Sequence, residues 1–136
     1  MGLRLLLARD DEILCEVPLS LDDQDRSELD DEMGILRREM HHLLRTYSAL
    51  TNRNRIRMLR TLMEDDDLTL SFKELMERLN MNPKIVREHA MRLAEAGFVT
   101  SPARGKYQLS SPGQALFMAV GPALLRISEI IREEYE

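Results

Sequence analysis

SFKELMERL (residues 71–79), NMN (80–82), PKIVREHAMRLAEAG (83–97), FVTS (98–101), PARGK (102–106) and YQLS (107–110) follow one another without a gap in this 136-residue chain, and their reading decides the fold. Ser71 with Glu74 three residues later forms a capping box that opens a helix carrying Phe72, Leu75, Met76 and Leu79 at helical spacing. Asn80-Met81-Asn82 is a turn. Asn82 is a good N-cap, and Pro83 sits at the first helical position, where its missing amide costs nothing. The second helix runs to Ala96 and stops at Gly97, a fitting residue just past a helix end. Val86, Ala90, Leu93 and Ala94 mark its buried side. Phe98-Val99-Thr100 and Tyr107-Gln108-Leu109 read as two short strands around a basic tip. Helix, tight turn, helix and basic hairpin are the sequence form of a winged helix-turn-helix.

Such a unit needs a helix with one side to dock and one side to meet a groove. The wet side here offers Lys84, Arg87, Glu88, Met91 and Arg92, with Asn82 and Ile85 at the entry of the helix, where base edges are reached. Any amphipathic helix carries charges on its wet face; the complete order of elements makes this one a candidate reading head. Arg104 and Lys106 flank Gly105 at the wing tip, where they can grip phosphates. Glu88 stands out, because a carboxylate repels phosphate, though it can accept from a cytosine amine.

Outward from this core the chain stays helical. Asn52–Met63 reads as a helix capped by Thr51 or Asn52, with Ile56, Leu59, Leu62 and Met63 facing inward. Arg53, Arg55, Arg57 and Arg60 crowd it. Some of them are expected to pair with Glu64, Asp65 or the acidic helix before it, and one to help hold a DNA backbone. Glu64 to Asp67 reads as a solvated helix end. Before that lies one long helix, from about Leu21 or Asp25 to Leu50. Leu29, Met33, Leu36, Met40, Leu43, Tyr47 and Leu50 recur at steps of four and three. The stripe packs on its own domain, on a second copy, or on both by different edges. A chain this small struggles to cover it alone, which favours burial between protomers. After the wing, Ser111, Pro112 and Gln114 read as a capping box opening a final helix to about Glu134, with Leu116, Val120, Leu124, Ile127 and Ile131 on one side. Gly121-Pro122 predicts a kink or break in it. At the other end, Gly2–Leu7 and Ile13–Val17 read as a β-hairpin with one buried face, Cys15 included.

The expected fold is mainly α with a small β wing. The organisation is 1–19 for the hairpin, 20–50 for the heptad helix, 51–110 for the winged helix-turn-helix and 111–136 for the C-terminal helix. The candidate dimer residues are Leu29, Met33, Leu36, Met40, Leu43 and Tyr47 on the first helix, with Leu116, Val120, Leu124, Ile127 and Ile131 on the last.

Bulk numbers narrow the function classes. The net charge of −5 opposes nucleic-acid binding, but its distribution does not: residues 1–50 carry 6 basic and 12 acidic groups, and residues 51–106 carry 11 basic and 8 acidic. Local potential, not the total, governs encounter with DNA. No window reaches the roughly 18 apolar residues that a membrane span needs, so no membrane segment is expected. A single Cys fits a reducing cytoplasm. His41 and His42 are adjacent and point apart on a helix, so they do not form a metal pair. No phosphate-binding loop, catalytic serine motif or acidic metal cluster is present. Neither catalytic residue, metal nor cofactor is expected.

Ala49-Leu50-Thr51-Asn52-Arg53-Asn54-Arg55-Ile56-Arg57-Met58-Leu59 resembles the opening helix of ArsR-like winged-helix regulators. The run from Val86 to Val99, with His89 and Glu95-Ala96-Gly97, resembles their recognition helix and wing entry. The resemblance spans about residues 45–112. It implies a homodimeric prokaryotic transcription regulator, more often a repressor, that binds double-stranded DNA and dimerises through its terminal helices. Its metal-sensing members carry Cys pairs in the first motif helix or His/acidic sets on a terminal helix; here the first motif helix reads Lys73-Glu74-Leu75-Met76-Glu77-Arg78, with no thiol. Any effector is left unspecified. The N-terminal hairpin lies outside the pattern and reads as a lineage-specific, archaeal addition. The alternative is a winged-helix module that binds protein within transcription or replication machinery. It draws on the acidic total, Glu88 and the long apolar heptad.

Overall fold

A computed structural model describes residues 2–20 and 26–136. The expected start of the first helix, between Leu21 and Asp25, lies outside the described residues. The chain divides into two compact units, Met1–Leu44 and Arg45–Glu136.

The first unit begins with strands β1 (Arg4–Arg9) and β2 (Glu12–Pro18), paired antiparallel from Arg4↔Pro18 to Arg9↔Glu12. Asp10 turns the chain with φ of 53°, a left-handed conformation that Asp tolerates better than most residues. The register shifts by a bulge between Leu7 and Ala8, so Leu14 has no partner. The hairpin is where it was expected, but its buried face is not buried. Leu5, Leu7 and Ile13 are 40, 60 and 52% exposed, and Cys15 is exposed as well. Two strands have no second layer of their own to cover either face. Helix α1 (Arg26–Arg38) follows and is tied to the hairpin by Arg4, whose guanidinium meets Glu28 at 2.9 Å and Glu16 at 3.1 Å.

Helix α2 (Met40–Leu50) continues from α1 after an interruption at Glu39. The single long helix expected here is therefore two, although the amides of Glu39 and Leu43 still donate four residues back, to Ile35 and Glu39. Gly34, one turn before the interruption, weakens the helix at that point.

The second unit holds the buried core. Helix α3 (Arg53–Met63) is capped by Asn52, whose side chain accepts from the amides of Asn54 and Arg55. Strand β3 (Thr69–Ser71) runs into α4 (Phe72–Leu79), where the Ser71–Glu74 capping box forms as read. The backbone amide of Ser71 first, and its hydroxyl second, hold the Glu74 carboxyl below its ordinary value. Helix α5 (Pro83–Glu95) has Asn82 as its cap and Pro83 at N1. It ends at Gly97 (φ 85°), where Phe98 donates to the carbonyl of Leu93 and Gly97 to that of Ala94, a Schellman closure. Strands β4 (Val99–Thr100) and β5 (Lys106–Leu109) make the wing, and β3 joins it in the order β3-β5-β4, all antiparallel.

Met58, Leu59, Leu62, Leu70, Leu75, Leu79, Val86, Ala90, Leu93, Phe98, Val99 and Leu109 form one cluster with Ala49 and Ala96. Each large member contributes about 2 kcal/mol by leaving water. Ala94, assigned by pattern to the buried side of α5, is exposed; His89 takes the inward place. Asp65 is not merely a solvated helix end, since its Oδ2 accepts from the amides of Asp67 and Thr69 and shapes the loop into β3.

Helix α6 (Ser111–Met118) is capped by Ser110, one residue before the expected cap, because the Ser110 hydroxyl reaches the amide of Gly113 at 2.8 Å. The same hydroxyl donates to the carbonyl of Gly97 at 2.7 Å, joining α6 to the end of α5. A π-helical turn, Ala119–Ala123, contains Pro122 and leads into α7 (Leu124–Tyr135). The expected break at Gly121-Pro122 is thus absorbed as a widened turn, which accommodates a residue that cannot donate. Helical structure is continuous over 25 residues, Ser111–Tyr135, long and apolar enough by length and composition to cross a membrane. No such stretch was expected from the sequence, because Arg126, Glu129 and other polar residues are scattered through a run that is apolar only on average.

Candidate nucleic-acid interface

Helix α5 is fixed from beneath by Val86, His89, Ala90 and Leu93, all buried. Period 3.6 then dictates what faces out. Lys84, Ile85, Arg87, Glu88, Met91 and Arg92 are all exposed, as is Asn82 at the helix entry. Every residue read from the sequence as part of the recognition face is on the wet side. Asn82 is less free than expected, since its Oδ1 accepts from the amide of Ile85 at 2.9 Å. That bond is structural and leaves the side-chain amide nitrogen to face a ligand.

Arg87 carries a contact the sequence did not disclose. Its guanidinium carbon stands 5.0 Å from the centre of the Phe72 ring at the start of α4. A cation over an aromatic face holds the plane of the guanidinium while its N–H edge stays available, which suits two-point contact with guanine. Ile85 and Met91 are 37 and 54% exposed beside the charges. Apolar groups on such a face match thymine methyls.

The wing presents its cations as expected. Gly105 adopts φ of 75°, Lys106 donates its amide to the carbonyl of Ala103, and Ser101 Oγ donates to the carbonyls of Ala103 and Lys106. The carbonyl of Gly105 in turn accepts from the amide of Phe72 at 2.8 Å, so the tip is tied to the start of α4. Arg104 and Lys106 are both exposed on this braced loop.

Two arginines of α3, Arg55 and Arg57, bond backbone carbonyls. Arg57 Nη2 donates to the carbonyl of Leu79 at 3.3 Å, where α4 ends in a left-handed Asn80. Arg55 Nε and Nη2 donate to the carbonyls of Ala49 and Ser48 at 2.9 and 2.7 Å. Both satisfy helix C-terminal carbonyls that no intrahelical amide reaches. The amides of Asn54 and Arg55 at the start of α3 are taken by Asn52. Burial first, then Arg92 for Arg55 and Arg55 for His89, lowers the proton affinity of both groups, and the Glu88 carboxylate opposes this in each case. Its charge therefore partly offsets the half-buried Arg55 cation, which sequence reading had no means to see.

The candidate dimer residues remain uncovered within the chain. Met33, Met40, Tyr47 and Leu124 are 44, 41, 49 and 49% exposed, and Leu29, Leu36, Leu43, Leu116, Val120, Ile127 and Ile131 are half-buried. An apolar cleft of about 260 Å³ opens between Tyr47, Leu50 and Ile56 on one side and Phe117, Val120 and Leu124 on the other.

Residues 52–101 match the family model described as bacterial regulatory protein, arsR family. Solved structures with a similar fold include a MarR family transcriptional regulator from Streptomyces coelicolor, at 18% identity and a TM-score of 0.52 over 75% of this chain and 77% of that one. They also include the AntR antimony-specific transcriptional repressor, at 22% identity and 0.51 over 67% of this chain and 83% of that one. HlyU from Vibrio cholerae matches at 21% identity and 0.50 over 62% of this chain and 94% of that one. No curated protein sequence matches. Sequence match and fold agree on the same helices and wing: the chain has a winged helix-turn-helix fold, and its residues 52–101 are similar to the arsR family of bacterial regulatory proteins.

Proposed function

We propose that the protein is a homodimeric transcriptional repressor that binds a pseudo-palindromic site in double-stranded DNA. The observation that carries the reading is the joint exposure of Lys84, Arg87 and Arg92 on a helix locked by its buried face, with Arg104 and Lys106 on a braced wing. The family matched is one of regulatory proteins and not of enzymes, which supports the same class. Lys84 and Arg87 read bases, Ile85 and Met91 meet thymine methyls, Arg92, Arg104 and Lys106 hold phosphates, and Asn82 and Glu88 border the contact. Two protomers place two recognition helices in successive major grooves, about one helical turn apart. The uncovered apolar residues of α1, α2, α6 and α7 supply the protomer contact. Work on DNA puts the protein in the cytoplasm.

Binding to a random-sequence duplex, followed by fluorescence anisotropy over a salt series, tests this. The expected outcome is measurable affinity at low salt that falls linearly on a log–log plot. Absence of binding at low salt would favour the alternative, a winged-helix module that docks on a protein of the transcription or replication machinery. That alternative draws on the net charge of −5 and the exposed apolar hairpin.

A further inference from the structure

His89 is the buried polar side chain among the described residues, 8% exposed on the inner face of the recognition helix, and a cation faces it. Arg55 Nη1 lies 3.4 Å from His89 Nδ1. The remaining nitrogens of the same guanidinium hold the carbonyls of Ser48 and Ala49 at the end of α2. One planar side chain thus ties the last turn of α2 to α5, while the backbone amide of Arg55 is held by the Asn52 cap. Lysine has a single nitrogen and could not span these partners.

The contact has a protonation requirement. Arginine only donates, so Nδ1 must be the bare, accepting nitrogen of a neutral ring. A proton there would set donor against donor and cation against cation in a site shielded from water. The charged groups around His89 are Arg55 from α3 and Glu88 from its own helix, with Arg92 of α5 acting on Arg55; the α2 residues in contact, Ser48 and Ala49, offer carbonyls and nothing titratable. Burial first and Arg55 second lower the proton affinity of His89, against a smaller opposing effect of Glu88.

We propose that Arg55 and His89 are positioning residues for DNA binding: their contact holds α5 in its binding pose against the end of α2, and protonation of His89 releases it. The inference rests on the DNA-binding reading and adds a sign to it. Gaining positive charge in acid ordinarily tightens binding to a polyanion. Release of the helix predicts the reverse.

Anisotropy with one duplex at constant ionic strength, from about pH 7.5 to about pH 5, spans the histidine range. Wild-type affinity is expected to fall about tenfold on acidification, a typical coupling between two sites. His89→Gln keeps an accepting oxygen and does not titrate, so its affinity should change by less than about twofold over the same range. Arg55→Lys keeps the charge and loses the fork; it should bind about tenfold more weakly at neutral pH with an unchanged salt slope. Affinity that stays level or rises in acid would overturn the proposal, and so would His89→Gln falling in step with wild type. A lowered salt slope in Arg55→Gln, which removes the charge, would make Arg55 a phosphate contact instead and overturn its positioning role. Far-UV circular dichroism at each pH accompanies the titration, and global unfolding of the wild type at the acid end would also overturn it. Failure to bind DNA at any pH would remove the DNA-binding reading itself, a different result from binding that ignores pH.

Discussion

Individual side chains in this protein divide into those that hold the reading head and those that face outward from it, and substitutions should separate the two. Arg104 is exposed on the wing tip, away from the outward face of α5 in sequence. Arg104→Ala should weaken binding equally on all duplexes and lower the salt slope by about one, measured by anisotropy over a salt series. Arg87, held by Phe72, should behave differently: Arg87→Ala should relax preference at one base position by about 1–3 kcal/mol, read from competition among single-base variants of a bound site. His89 links stability to pH. Its folded proton affinity lies below that of the free side chain, so the unfolded chain takes up protons first. Stability should therefore decline as pH falls below about 6.5. His89→Gln should lack that decline in urea melts, while retaining the loss at lower pH, where the depressed carboxyl of Glu74 is protonated and its cap weakens.

At the level of elements, the turn chemistry around α4 and α5 was legible because each signal is local. Ser71, Glu74, Asn82, Pro83 and Gly97 each perform the role their residue type favours, and no distant neighbour is needed to see it. The outward face of α5 was legible for the same reason. What stayed hidden depends on contacts between elements. Arg55 and Arg57 look like surface charge in sequence but cap α2 and α4 from a neighbouring helix. Ser111 was the better cap by spacing, yet Ser110 wins because its hydroxyl also bonds the end of α5. Cys15 alternates like a buried residue, but a hairpin has a buried face only when something covers it. Gly113 carries the most restrictive of these contacts. A Cβ at that position would stand 2.2 Å from the backbone oxygen of Phe98, which cannot move without disturbing the wing. Gly113→Ala should destabilise the fold by about 2 kcal/mol in denaturant melts. A neutral result would mean that α6 is not seated against the wing as described.

The whole molecule keeps its buried core in the second unit, while the described residues of Met1–Leu44 include none that is buried. A hairpin and helix with this much apolar surface exposed are expected to be covered by a second copy. Sedimentation at micromolar concentration should show a dimer, and Leu124→Glu, which puts a charge on the exposed apolar face of α7, should give a monomer whose circular dichroism is unchanged. A wild-type monomer at high concentration would remove the terminal helices from the interface. The central claim is that a pair of these heads reads DNA. Selection of bound duplexes from a random library, with the protein at low salt, tests it most directly. The expected product is an inverted repeat with half-site centres about 10 base pairs apart, holding two protomers per duplex. Recovery of no enriched sequence, together with no retained DNA, would contradict it.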